Sequence, residues 1–340
     1  MFDFYSDTKT KPSKDMLRAV LNCDFGDEQK DEDPTTLELC SRVADLLGKE
    51  KALFLPSGTM CNEIAINIHT KPGDEIICEN SSHIINFETG GPAAISSVMI
   101  NAIQGKNGIF EASQLLEAIR KPSRYAPTSS LVCAEQTANM AGGTIWPLEK
   151  LDAIAIEAKN YNLKTHMDGA RLLNASVKTG VKARSYSKNF DSVWLDFSKG
   201  LGAPVGAVLA GSEDFISNSW RIKQRLGGAM RQSGVLAAMC LYALDHNITR
   251  LSDDHKAASY LESEIKMFGN VKQILPVETN IVIFDLDDGS INAPNLVSEM
   301  EKKGFLIGAF GEKRIRLVTH LDVDMDASEK LIEALKEHLM

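Results

Sequence analysis

The sequence predicts an α/β protein, with a large domain built on a mainly parallel sheet and a smaller α+β domain after it. Three observations carry this reading. Between residues 51 and 211, short apolar strand candidates alternate with helical patterns, which favours a parallel sheet covered on both faces. From about residue 248 the texture changes to amphipathic helices separated by strands. The length of 340 residues suits roughly two domains. The expected division is an arm over residues 1–15, a large domain over 16–247 and a small C-terminal domain over 248–340.

The elements follow in order. "KALFLP" (51–56) reads as a strand and leads through Ser57, Gly58 and Thr59 into an apolar helical pattern over 60–69. Strands are expected at "DEIICEN" (74–80), "AAISSVMINAI" (93–103) and "SSLVCAEQT" (129–137), then a helix over 148–161. "LKTHMDGAR" (163–171), "SVWLDFSKG" (192–200) and "GAVLAG" (206–211) supply further strands. "GVLAAMCLYAL" (234–244) reads as a buried helix, well short of the roughly 20 residues of a membrane span. In the small domain, helices are expected at 253–269 and 293–304 and strands at 279–286 and 313–323. The final segment, 326–339, opens with acidic residues and closes with Lys336 and His338, the polarity that a helix dipole favours.

Composition narrows the functional class. Hydrophobic residues make up 44%, charged residues 24%, and the formal charge is −9, so a general nucleic-acid binder with a basic stripe is not expected. The start "MFDFYSDTKTKPSK" lacks a cationic end followed by an apolar segment, so neither an export signal nor membrane attachment is read there. Six scattered cysteines without C-x-x-C pairs read as reduced thiols, with no metal site and a cytoplasmic location expected.

In open α/β sheets, ligands bind at the carboxyl ends of the strands, and four strand ends carry candidates. Ser57, Gly58 and Thr59 open a helix, where free backbone N–H groups attract an anion; a plain N-cap is the alternative. Asp168 ends an apolar strand, with an Asp168–Arg171 ion pair as its structural alternative, since burying a lone carboxylate is costly. Lys199 follows an apolar run and precedes Gly200, Gly202 and Gly206, glycines that permit a tight turn and leave room for a ligand. His83 follows another strand; it is either a structural histidine or a proton carrier beside a ligand. Together these are the parts of a pyridoxal phosphate site. A lysine forms a Schiff base with the aldehyde, an aspartate keeps the ring nitrogen protonated, a helix start takes the phosphate, and an aromatic ring fixes the pyridine plane.

The chain resembles the threonine aldolase (β-eliminating lyase) family of fold-type I pyridoxal 5′-phosphate enzymes, whose large domain is aspartate aminotransferase-like. The resemblance runs through "YSDTKTKPS" (5–13), "EDPTT" (32–36), "LFLPSGTMCN" (53–62), "HIINFETGGPA" (83–93), "HMDGAR" (166–171), "SKGLGAPVG" (198–206), "GGAMRQSG" (227–234) and "RLVTHLDV" (316–323). It implies that Lys199 bonds the cofactor, Asp168 pairs with the ring nitrogen, Gly58 and Thr59 hold the phosphate, and His83 stacks on the ring near the reacting carbons. It implies further that Ser6, Arg171 and Arg316 grip the substrate carboxylate, with Arg171 also counted among the cofactor-binding residues. Arg231 would reach the phosphate of a neighbouring subunit, in a homo-oligomer (a dimer of dimers) with sites at subunit interfaces. The implied reaction is retro-aldol cleavage of a β-hydroxy-α-amino acid of the L-threonine or L-allo-threonine type to glycine and an aldehyde, with Lys199, His83 and Asp168 as the catalytic residues.

Three positions depart from the family pattern. Ala138 stands where members often carry a histidine near the substrate hydroxyl, Lys30 where a tyrosine is common, and Ala229 in place of a glycine. Other readings stay open: β-elimination, racemisation or aldol transfer on the same scaffold, or a non-catalytic ligand-binding homologue. A hydrolase with Ser57 or Ser198 as nucleophile lacks the G-x-S-x-G turn.

Overall fold

The computed structural model describes residues 1–340. Seven strands form the central sheet: β1 (Lys51–Leu55), β2 (Glu75–Glu79), β3 (Met99–Ile103), β4 (Ser129–Glu135), β5 (Lys164–Asp168), β6 (Ser192–Asp196) and β7 (Ala207–Gly211). Their spatial order is β1-β7-β6-β5-β4-β2-β3. The pairings β2–β3, β2–β4, β4–β5 and β5–β6 are parallel, and β7 runs antiparallel to both β1 and β6. The sheet is thus mainly parallel, as the strand–helix alternation predicts.

Side-chain alternation explains why this sheet reads as continuous apolar runs. Phe54, Val193, Leu195 and Val208 point into a core of 39 buried residues on one face. Leu53, Leu55, Trp194 and Leu209 point into a second core on the other, under the helix Gly58–His69. Both faces are covered, so neither needs polar residues. The expected strand over 93–103 divides. Residues Gly91–Ser96 are helical with a proline in the first turn, Ser97 takes a left-handed conformation (φ 55°), and only Met99–Ile103 is extended. Proline suits the first turn of a helix, and the left-handed residue ends it.

Beyond the helices Gly234–His246 and Leu251–Ile265 lies a four-stranded antiparallel sheet, β8 (Val271–Ile274), β9 (Ile281–Leu286), β10 (Gly308–Phe310) and β11 (Arg314–Val318), in the order β10-β11-β9-β8. Its own core of 22 buried residues draws on Leu261, Leu296 and Leu331 of three helices. The chain start ties into this unit. Phe2–Asp3 pairs in parallel with Phe305–Leu306, and Phe4 is fully buried in the small core. No helix is long and apolar enough to cross a membrane.

Because β2, β4, β5 and β6 run the same way, their carboxyl ends share one edge of the sheet. That edge presents Glu135, Asp168 and Asp196 at strand termini. The arm and β11 close over the same edge, placing Ser6 and Arg316 opposite it.

Candidate functional site

A cleft of about 360 Å³ opens at this edge. It is lined by Ser6, Gly58, Thr59, His83, Asp168, Arg171, Lys199 and Arg316, together with Tyr5, Phe87, Glu135, Asn139, Trp194 and Asp196. Of the residues expected from sequence, only Arg231 lies elsewhere in this chain, on the surface and paired with Asp27 at 3.0 Å. Neither Lys30, which is exposed, nor Ala138, which is buried, lines the cleft.

Lys199 lies three residues beyond β6. Its Nζ donates to Asp196 Oδ2 at 2.6 Å, and the other oxygen, Oδ1, accepts from the Ser198 backbone and hydroxyl at 2.8 Å each. Asp196 therefore fixes both the turn and the amine. The Trp194 indole lies 5.5 Å from the ammonium. The glycines that follow serve the turn and the packing rather than the cleft. Gly202 and Gly206 adopt φ of 78° and 138°, and a Cβ on Gly206 would come within 2.8 Å of Cys240 and Phe54.

Asp168 is 4% exposed and has no arginine partner in its own turn. The Asp168–Arg171 ion pair, the structural alternative for this carboxylate, does not form, because Arg171 turns to Asp7 instead, donating from Nε and Nη2 at 2.7 Å each. Asp168 is satisfied by hydrogen bonds: Oδ2 accepts from Asn62 Nδ2 at 2.9 Å and Oδ1 from the Ala170 backbone at 3.1 Å.

Asn62 organises everything behind this carboxylate. Its Oδ1 accepts from Trp194 Nε1 at 2.8 Å, and since an indole nitrogen only donates, the amide orientation follows. Its Nδ2 then supplies both Asp168 and Glu88 Oε1, the latter at 2.7 Å. His166 Nε2, 3.0 Å from the same Oδ1, must carry the proton there. Its Nδ1, 2.8 Å from Ser192 Oγ, is left as acceptor, because burial pushes this imidazole down to about 3 and keeps it neutral. Ser192 accepts in turn from His69 Nε2 at 2.8 Å. The chain of donors runs one way, toward two carboxylates.

His83 sits on the opposite side of Glu88, with Nδ1 2.8 Å from Glu88 Oε1 and its backbone N–H donating to Glu135 Oε2 at 3.0 Å. Burial works against its charge, yet the Glu88 hydrogen bond and the charge of Asp168 leave it above the ordinary histidine range. Glu135 is itself pushed up to about 7, by burial first and by Asp168 second.

The facing wall is cationic. Arg316 donates from Nη2 to Asn139 Oδ1 at 2.8 Å, while its buried Nε has no partner. Burial and the neighbouring Arg171 pull it down to about 10, so it stays charged near neutrality while meeting only neutral acceptors. Asp7, though fully buried, is held well below the usual carboxylate range by Arg171, with help from Lys199 and Arg316.

At the third end, the helix Gly58–His69 starts with Ser57 as N-cap, its hydroxyl oxygen accepting from the Met60 N–H at 3.3 Å. The capping alternative is therefore real, and Ser57, Gly58 and Thr59 all line the cleft. Gly58 is required there, since a Cβ would lie 2.0 Å from the Trp194 ring.

Sequence reasoning did not single out Asp7, Asn62, Glu88, Asn139 or Asp196. Asp7, Asn62 and Glu88 stand within the motif stretches "YSDTKTKPS", "LFLPSGTMCN" and "HIINFETGGPA", Asn139 directly follows Ala138, and Asp196 precedes Lys199 by three residues.

Comparison with known proteins places the chain in a family. The beta-eliminating lyase family matches residues 3–289. A low-specificity L-threonine aldolase from Arabidopsis thaliana is 38% identical over 324 residues, covering 94% of this chain and 90% of the relative. An alanine racemase from Cochliobolus carbonum is 34% identical over 349 residues, covering 99% of this chain and 87% of the relative. Among solved structures, the threonine aldolase of Leishmania major superposes with a TM-score of 0.85 at 19% identity, covering 99% of each chain, a likeness that concerns the fold. With the family profile spanning most of the chain and relatives above 30% identity end to end, this chain belongs to the beta-eliminating lyase family.

Proposed function

We propose that this chain is a lyase that cleaves a β-hydroxy-α-amino acid of the L-threonine or L-allo-threonine type to glycine and an aldehyde by retro-aldol chemistry. The cofactor is pyridoxal 5′-phosphate, and the donor set fits it. Lys199 offers a primary amine to the aldehyde, Asp168 a buried carboxylate to the ring nitrogen, and the helix start at Gly58 and Thr59 N–H groups to the phosphate. When bound, the cofactor supplies an electron sink for the pair released from the breaking bond at Cα.

The remaining steps belong to the chain's own residues. Arg316 carries the reading: a buried, charged guanidinium with an unpartnered Nε is a receptor for a carboxylate, which the planar fork can take in a fixed plane. Arg171 already directs Nε, Nη1 and Nη2 to Asp7 and Asn139, so it positions the wall and adds charge beside the substrate carboxylate, while Ser6 lines the same end. Holding the substrate carboxylate in one plane would fix which bond at Cα is presented for breaking, the choice that separates cleavage from rival reactions. His83 accepts the β-hydroxyl proton at Nε2. Asp196 keeps the Lys199 amine aimed at the cleft.

Arg231, exposed and outside its own cleft, fits a role in a second subunit's site, which supports a homo-oligomer with sites at interfaces, arranged as a dimer of dimers. The six free cysteines support a reducing, cytoplasmic setting.

The test is an absorbance spectrum of the purified protein, then mixing with a panel of β-hydroxy amino acids. A near-visible band that borohydride removes and Lys199→Ala abolishes, followed by aldehyde and glycine, is the expected result. Ala138 does not line the cleft, so the expectation that its departure disfavours threonine has no contact to rest on, and the panel, threonine included, ranks the substrates. The racemase relative keeps a second reading in view: a panel yielding only the mirror-image amino acid, with no aldehyde, assigns racemisation.

A further inference from the structure

Behind His83 lie two buried carboxyls that the reaction outlined above does not use. Glu88 is 5% exposed and Glu63 2%, and their carboxyl groups face each other at hydrogen-bonding range. Neither oxygen of Glu63 nor Oε2 of Glu88 meets a nitrogen or hydroxyl donor. The helix Gly91–Ser96 seals the pair so closely that a Cβ on Gly91 would lie 2.0 Å from Glu63 Oε1.

Two facing carboxylates in a dry site repel, and each would also lack a donor. One shared proton resolves both problems. Glu88 Oε1 already receives the Asn62 amide and lies against His83 Nδ1, so Glu88 is the member that keeps its charge and Glu63 the member that keeps the proton. We infer that Glu63 and Glu88 form a one-proton carboxyl pair that positions His83, with Glu88 holding the Nδ1–H so that Nε2 is the basic atom presented to the cleft. This rests on the retro-aldol reading for its role in turnover, while its effect on the His83 ring is independent of that reading. Burial and the Glu88 charge push Glu63 up to about 8, in keeping with its holding the proton at neutral pH.

The groups that face this cluster are few. Asp168 and Glu135 act on His83 with Glu88. The thiols of Cys61 and Cys133 lie close to Glu88 and are held neutral by burial. His83, Glu88 and Asp168 bring their polar atoms within 4.8 Å of one another, so a change in the charge of the pair is felt at the ring.

The test is nitrogen-15 NMR of histidine-labelled, cofactor-free protein titrated with pH, with His83→Asn identifying the resonances. The parent should show His83 as the Nδ1–H tautomer, titrating above an ordinary histidine, with a second inflection near pH 8 as Glu63 loses its proton. Glu88→Gln should lower the His83 pKa by about one unit or more and mix the tautomers. Glu63→Gln, whose amide still donates to Glu88, should keep the tautomer and lose the inflection near pH 8; Glu135→Gln should leave that inflection in place. In the cofactor-loaded enzyme, Glu88→Gln should lower kcat on the order of tenfold with KM little changed, as loss of ring positioning predicts. A His83 titration and tautomer unmoved by Glu88→Gln, or an inflection near pH 8 that survives Glu63→Gln, overturns the inference. Both readings come from protein without cofactor, so they stand apart from whether aldehyde is formed.

Discussion

Asp7 and Glu63 are carboxyls of the same burial, 0% and 2% exposed, yet the structure holds them in opposite states. Asp7 meets the Arg171 guanidinium in a bidentate pair and is driven well below the usual range. Glu63 meets another carboxyl and is pushed up to about 8. Neither lines the cleft itself: Asp7 lies behind Arg171, and Glu63 lies beyond Glu88, the partner of His83. One wall is built from arginines around a fixed anion, and the other from hydrogen bonds that lead to carboxyls and a histidine. A substrate amino acid carries both problems at once, an anionic carboxylate and a hydroxyl that must lose a proton, and each wall is shaped for one of them.

The largest effect should come from breaking the cationic wall. Asp7→Asn leaves Arg171 buried beside Arg316 with no carboxylate hydrogen-bonded to it, and removing one partner of a buried pair costs about 3–5 kcal/mol. Urea unfolding of the cofactor-free protein would measure it. The sign with pH follows from linkage. Asp7 has a depressed folded pKa, so its stabilisation is present above the ordinary value of 3.8 and is lost as pH falls through the folded value. Asp7→Asn should therefore flatten the acid limb of the stability curve, and an unchanged limb would break the comparison on this side.

The hydrogen-bonded wall should fail next, at Asn62. Asn62→Ala removes the donor shared by Asp168 and Glu88 and the acceptor of Trp194 and His166. Leaving one buried group unsatisfied costs about 1–3 kcal/mol, and the cofactor-free fold should lose about that much. The pH dependence runs opposite to that of Asp7. Glu63 has a raised folded pKa, so its stabilisation is complete below the ordinary value of 4.5 and is lost as pH climbs through about 8. Glu63→Gln should flatten the decline over that window, measured as unfolding midpoints between pH 4.5 and 9.

How much of this was legible in the sequence follows the same division. Lys199, Asp168, His83 and the Gly58–Thr59 start each stand at the end of a strand, so a reading that places strands and then looks just past them finds them without any fold. Arg171 and Arg316 needed the family motifs. The partners that set their chemistry were hidden, because partnership here spans the chain: Asn62 reaches Trp194 across 132 residues, Asp7 reaches Arg171 across 164, and Asn139 reaches Arg316 across 177. Asp196, three residues before Lys199, was within local reach. The strand expected over 93–103 failed for a local reason, since its apolar composition suits a helix turn as well as a strand, and only the proline at 92 marks the difference.

The smallest effect should be at Ser57, where the sequence left a cap and an anion donor as alternatives. The hydroxyl accepts the Met60 N–H at 3.3 Å and the residue is extended, with φ −153° and ψ 155°, so its loss should cost about 1 kcal/mol of stability as an N-cap. The walls are untouched by this change, which makes it a control for them: Ser57→Ala should leave both the acid and the alkaline limbs of the stability curve in place. Thr59→Ala should separate phosphate binding from capping. Thr59 lies inside the first helical turn and does not cap it, while a hydrogen bond to a charged group is worth about 1.5–3 kcal/mol. Titration with pyridoxal 5′-phosphate should therefore show about tenfold or more weaker binding for Thr59→Ala and a much smaller change for Ser57→Ala. Equal weakening by both would give Ser57 a share of the phosphate and make the helix start a third wall, with its own electrostatics, rather than a passive end of the cleft.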